Sequence, residues 1–120
     1  MYETQPIELF WDNSAGLDAH TVSALNSSGF RPRPVALSQL SNQLVAEEAG
    51  PQVVCIQGRP GISETHIRTL RELLGPRVYL ILRVGVSDLN TAIVGVKSGV
   101  DDVVTDNADA KVWQTVAASA

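Results

Sequence analysis

A chain of 120 residues with 44% apolar content has the size and composition of one compact domain and is too short for two. Thirteen acids against nine bases leave a net charge of −4, which offers no broad cationic surface to a phosphate backbone, so direct nucleic-acid binding is not expected. The longest apolar run, Val78 to Leu82, is far short of the ~20 residues that cross a bilayer, and one cysteine, Cys55, excludes an internal disulfide.

Ile7 to Trp11 reads as a first strand, and Asp12-Asn13-Ser14 offers side-chain oxygens to the free N–H groups of a helix over about residues 15–28. That helix carries Leu17, Ala24 and Leu25 on one face and ends at Gly29. Residues 31–36, Arg-Pro-Arg-Pro-Val-Ala, form a second strand confined to a sheet edge, because proline cannot donate to a ladder; Arg31 and Arg33 also discourage edge-to-edge pairing there. Ser38 or Ser41 opens a second helix containing Leu40 and Leu44, closed by Gly50-Pro51. Gln52 to Ile56 is the third strand. Its centre, Val53-Val54-Cys55-Ile56, is continuously apolar, as a strand covered on both faces requires, and this makes Cys55 a core residue.

Gly58-Arg59-Pro60-Gly61 is a plain turn, lacking the Gly-x-x-x-x-Gly-Lys spacing of a phosphate loop. Ser63 caps a third helix with Ile67, Leu70 and Leu74 at helical spacing, stopped by Gly75-Pro76. Val78 to Leu82 is the fourth strand. Ser87 caps a fourth helix whose Leu89, Ala92, Ile93 and Val96 form the clearest i, i+3, i+4, i+7 stripe of the chain, and Gly99 ends it. The fifth strand spans Val100 to Thr105, and Asp109 opens a last helix carrying Val112, Trp113 and Val116. His20 and His66 fall on different helices with no partners at ligand spacing, so no metal site or cofactor is expected.

Strands alternating with helices need crossover connections, which give a parallel sheet covered on both sides. The expected fold is α/β, a doubly wound five-stranded parallel sheet of order 2-1-3-4-5, flavodoxin-like, which puts the proline-bearing second strand at an edge. The small residues of Val116-Ala-Ala-Ser-Ala120 read as the start of a linker to a further domain, making residues 1–120 the N-terminal domain of a longer protein. An acid near the N-terminus, where a secretory signal has basic residues, fits a cytoplasmic setting.

The segment Thr91-Ala92-Ile93-Val94-Gly95-Val96-Lys97-Ser98-Gly99-Val100-Asp101-Asp102-Val103-Val104 resembles the fourth helix, glycine, Ala-Asp-Asp and fifth strand of the CheY-like receiver domain of bacterial response regulators. Ile7 to Asp12 and Pro51 to Gly61 are similar to that family's first and third strands, so the resemblance spans almost the whole chain. It implies a crevice at the strand ends with two acids for magnesium, an aspartate that accepts phosphate, a hydroxyl and a lysine. In that set the acids supply oxygens to a hard cation, the aspartate is the nucleophile, and the hydroxyl and ammonium donate to the phosphoryl oxygens.

This sequence departs from that set. Trp11 stands at the first acidic position and Asp12 at the second. The phosphoacceptor position is Gln57 by aligning the strand, or Ile56 by counting back from Pro60. The hydroxyl position is Val84, with Arg83 beside it, and the lysine position is Asp106, followed by Asn107. Without nucleophile or ligand set, the expectation is a degenerate, phosphorylation-independent pseudo-receiver that is not an enzyme. Arg83 is expected near Asp12 and Asp106, pairing with one or both.

The resemblance implies action by dimerisation or docking through the fourth helix, fifth strand and last helix, with an output domain following or a separate signalling partner. On that face Lys97, Asp101, Asp102, Asp106, Asp109 and Lys111 offer both charge signs around Trp113, which reads equally as a dimer anchor or a core residue. In conventional receivers an aromatic on the fifth strand couples site to face; Val103 stands there here. Two other readings are a small flavodoxin-like enzyme or ligand-binding domain using the crevice, and a free-standing adaptor.

Overall fold

The computed structural model describes residues 6–14, 16–36, 39 and 52–120. Five strands, β1 (Ile7–Asp12), β2 (Phe30–Val35), β3 (Gln52–Gln57), β4 (Val78–Val84) and β5 (Asp102–Thr105), form one sheet of order β2-β1-β3-β4-β5, all neighbours parallel. This is the CheY-like, flavodoxin-type doubly wound arrangement expected from the alternation of elements. The described helices are α1 (Ala19–Ser27), α2 (Glu64–Leu74), α3 (Leu89–Ser98) and α4 (Ala110–Ser119). The expected helix between Ser38 and Gly50 lies outside the described residues.

β2 is an edge strand, and its prolines are placed where the ladder does not need them. The amides of Ile7 and Asn13 donate to the carbonyls of Gly29 and Val35, so in this parallel register the odd-numbered residues of β2 face the ladder. Pro32 and Pro34 fall on the outward side.

Alternation along the central strands divides the core in two. Leu9, Trp11, Val53, Cys55 and Ile81 pack with Ala24 and Leu25 of α1 and Trp113 and Val116 of α4. Phe10, Val54, Ile56, Leu80, Leu82 and Val84 pack on the other face with Ile67 of α2. Burial pushes the Cys55 thiol up, which holds it in the neutral form.

Two helix starts differ from expectation. α1 begins at Ala19 and is capped by Asp18, whose carboxylate accepts from the Thr21 amide; Asp12 and Ser14 are instead tied to each other, Ser14 N donating to Asp12 Oδ1 at 2.9 Å. α3 is capped by Asp88 in place of Ser87, its carboxylate accepting from both the amide and the hydroxyl of Thr91. Aspartate at Ncap reaches two donors that a serine one residue earlier cannot. Ser63 and Asp109 cap α2 and α4 as expected.

The apolar stripe of α3 faces outward. Leu89 is 70% exposed, Val96 65% and Ile93 43%, whereas Thr91, Gly95 and Ser98 are the buried residues. Gly95 explains the inversion: a Cβ there would lie 2.3 Å from Leu82 Cδ2, so the helix approaches β4 through its smallest residues.

Candidate functional site: a self-filled crevice and an apolar groove

The carboxyl ends of β1, β3, β4 and β5 place Asp12, Gln57, Arg83 and Asp106 along one crevice, the usual ligand position in open α/β sheets. Strand parity decides between the paired candidates. Ile56 and Val84 are core residues of the α2–α3 side, while Gln57 and Arg83, register partners on neighbouring strands, turn their side chains into the crevice.

These side chains bond to one another. Arg83 Nη1 donates to Gln57 Oε1 at 3.1 Å, its Nη2 donates to the Asp106 carbonyl at 3.1 Å, and its Nε lies 3.5 Å from Asp106 Oδ1. Gln57 Nε2 donates to the same Asp106 oxygen at 3.2 Å, closing a ring across β3, β4 and β5. Trp11 forms the floor, with the Arg83 guanidinium 5.2 Å from its ring centroid. Only 11% of the Arg83 side chain is exposed. Of the two acids expected near Arg83, Asp106 is therefore its ion-pair partner.

Asp12 is buried and serves the backbone. Its Oδ1 accepts from Ser14 N, and its Oδ2 accepts from Gln57 N at 3.2 Å. Arg59 crosses the mouth, its Nη2 donating to the Ser14 carbonyl at 3.1 Å. No buried side-chain nitrogen or oxygen among the described residues lacks a hydrogen-bond partner.

A magnesium ion of the kind the resemblance implies does not fit this donor set. A hard cation needs several free oxygens, but Asp12 spends both on amides and Asp106 faces a guanidinium. Among the described residues no three His, Cys, Asp or Glu side chains cluster for a metal.

The second feature is a groove of about 340 Å³ on the outer face of α3 and β5, lined by Leu89, Ala92, Ile93, Val96, Lys97 and Val103. Periodicity marks the first four as a helix face without saying which way it points.

The charged residues expected to frame an interface have internal duties. Asp101 pairs with Arg71 at 3.0 Å and accepts from Leu80 N, Asp102 accepts from the Tyr79 hydroxyl at 3.0 Å, and Asp109 caps α4. Lys97 and Lys111 are exposed. Trp113 is not on that surface: it is 1% exposed and packs against Trp11 and Phe30 at ring-centroid distances of 6.3 and 6.0 Å. As an interface anchor it is corrected to a core residue, because α4 turns Trp113 and Val116 together onto the sheet.

No helix among the described residues is long and apolar enough to cross a membrane. No protein-family model and no curated protein matches the sequence. Solved structures do match. A Burkholderia pseudomallei protein described as pilus assembly-related superposes with a TM-score of 0.72 at 16% identity, over 99% of this chain and 92% of that one. A response regulator receiver domain protein of Clostridium thermocellum gives 0.70 at 16% identity, over 95% and 92%. NtrX of Brucella abortus gives 0.70 at 15% identity, covering 98% of this chain but 27% of its own. The chain has the fold of response-regulator receiver domains.

Proposed function

We propose that this domain is a phosphorylation-independent, receiver-like regulatory module, not an enzyme, that acts by docking. The observation that carries this reading is the chemistry of the crevice: the position facing Arg83 on β3 is an amide, Gln57, already bonded to Arg83 and Asp106. An amide is no oxygen nucleophile at neutral pH, and a phosphoryl group would have to displace that whole ring of bonds. The same occupancy weighs against a crevice enzyme, since among the described residues no nucleophile–base pair faces open space there.

The docking face on this reading is the α3–β5 groove, with the exposed Val112 and Lys111 of α4 as further candidates for it. Its apolar lining favours burial, and the partner that suits it first is a second copy, because a twofold contact needs only one such patch on each chain. An output domain is a further part of the reading, supported by NtrX, in which the matching region is about a quarter of the chain. On this reading the output is that of a transcription regulator or a related signalling protein.

Incubation with acetyl phosphate and magnesium, followed by intact-mass analysis, tests the chemical half. No phosphoryl adduct is expected; an adduct mapped to the β3 end would overturn the reading.

A further inference from the structure

The crevice and the groove share a structural element, the first turn of α3. From the β5 side, Asp106 N donates to the Val84 carbonyl at 2.8 Å and Asp106 Oδ2 lies close to Gly85, whose carbonyl accepts from Asp88, the cap of α3. From the β3 side, the Thr91 hydroxyl reaches the Arg59 carbonyl at 3.4 Å, and Gly58 is so close to α3 that a Cβ there would sit 2.9 Å from Thr91 Cγ2. Gly58 N in turn donates to the Arg83 carbonyl at 2.7 Å. Both rims of the crevice therefore bear on the turn that begins with Leu89, and the Gln57–Arg83–Asp106 ring spans the same two rims.

We propose that this ring is a permanent latch that sets the position of α3 and thereby the shape of the apolar groove. The inference rests on the docking reading above and adds what regulates that site. A guanidinium held between an amide oxygen and a carboxylate neutralises the crevice without any added group, so the groove has one resting shape that phosphate donors do not alter. Coupling is carried by the packed contacts of Thr91 and Gly95, which leave α3 little freedom to shift without moving Leu82.

The test is methyl NMR on the whole chain, reading Ile93 and Val96, which lie on the groove one and two turns beyond the latched turn. Arg83→Met and Asp106→Ala are compared with Glu8→Gln, which breaks the 3.0 Å pair with Arg33 at the opposite edge. Both latch variants are expected to shift the Ile93 and Val96 methyl resonances, and to change any self-association constant severalfold, while Glu8→Gln leaves both at wild-type values. Shifts confined to Trp11, Gly85 and their neighbours, with Ile93 and Val96 unmoved, would overturn the latch. If Arg83→Met does not fold, Asp106→Ala decides alone, since that carboxylate is 43% exposed and its loss leaves the core intact. A monomeric wild type would defeat self-docking yet leave the methyl comparison valid, so the two failures are separable.

Discussion

The crevice and the groove lie at neighbouring parts of one sheet and are built in opposite ways. In the crevice Asp12, Gln57 and Asp106 are each engaged by another part of the chain, down to Asp12 accepting two backbone amides. On the groove, Leu89, Ile93 and Val96 stand exposed with small residues beneath them. A polar pocket that satisfies itself has little free energy to offer a ligand, because new bonds must replace existing ones. An apolar surface left in water gains on being covered, by roughly 25 cal/mol per Å² of apolar area. This contrast is what favours the docking reading proposed above.

The largest expected effect comes from the core beneath the crevice floor. Trp113→Ala should destabilise the fold by about 3–5 kcal/mol, since it opens a cavity beside Trp11 and Phe30. Denaturant unfolding checks this. A near-neutral change would return Trp113 to the surface and blur the distinction between core and groove.

Gly95→Val tests the seat of the groove. The added side chain meets buried Leu82, so a loss of about 1–3 kcal/mol is expected, together with displacement of α3 visible as faster amide exchange along that helix. Asp12→Asn tests the closure of the crevice. The amide cannot accept at both positions, leaving a Ser14 or Gln57 N–H unpaired, at about 1–3 kcal/mol by the same unfolding measurement.

A smaller effect is expected at Asp18, the cap of α1. The Thr21 amide, then its hydroxyl, hold the Asp18 carboxyl below the ordinary value of 3.8, with a lesser contribution from Arg83. A depressed folded value means that the stabilisation is present above 3.8 and is lost as pH falls through the lowered value. The gap in melting temperature between wild type and Asp18→Ala should therefore be constant near neutrality and shrink in acid. A gap that persists at the lowest pH would contradict the charged cap.

Much of this contrast was legible in the chain, for reasons that can be named. Pro32 and Pro34 placed β2 at the edge because a missing donor has only one tolerable location. The unbroken apolar cores of β3 and β4 announced a sheet covered on both sides. Periodicity failed where two faces of one helix were both plausible: α3 has an apolar stripe and a small-residue face, and only the approach of Gly95 to Leu82 decides which is buried. Trp113 was ambiguous for the same reason. Parity could have separated Gln57 from Ile56, since Val53 and Cys55 share the face of Gln57 while Val54 and Ile56 share the other. The bonds among Gln57, Arg83 and Asp106 were not legible, because they depend on side chains from three strands meeting at one level.

The most direct test of constitutive docking is sedimentation velocity of wild type and Val96→Asp over a range of concentrations, with and without beryllium fluoride and magnesium. Val96 is exposed, so the substitution should change stability by no more than about 0.5 kcal/mol while placing a charge in the groove. The wild type is expected to self-associate equally in both conditions and Val96→Asp to remain monomeric. A wild type that is monomeric throughout, or that associates only when beryllium fluoride is present, would contradict a groove that works without a phosphoryl switch.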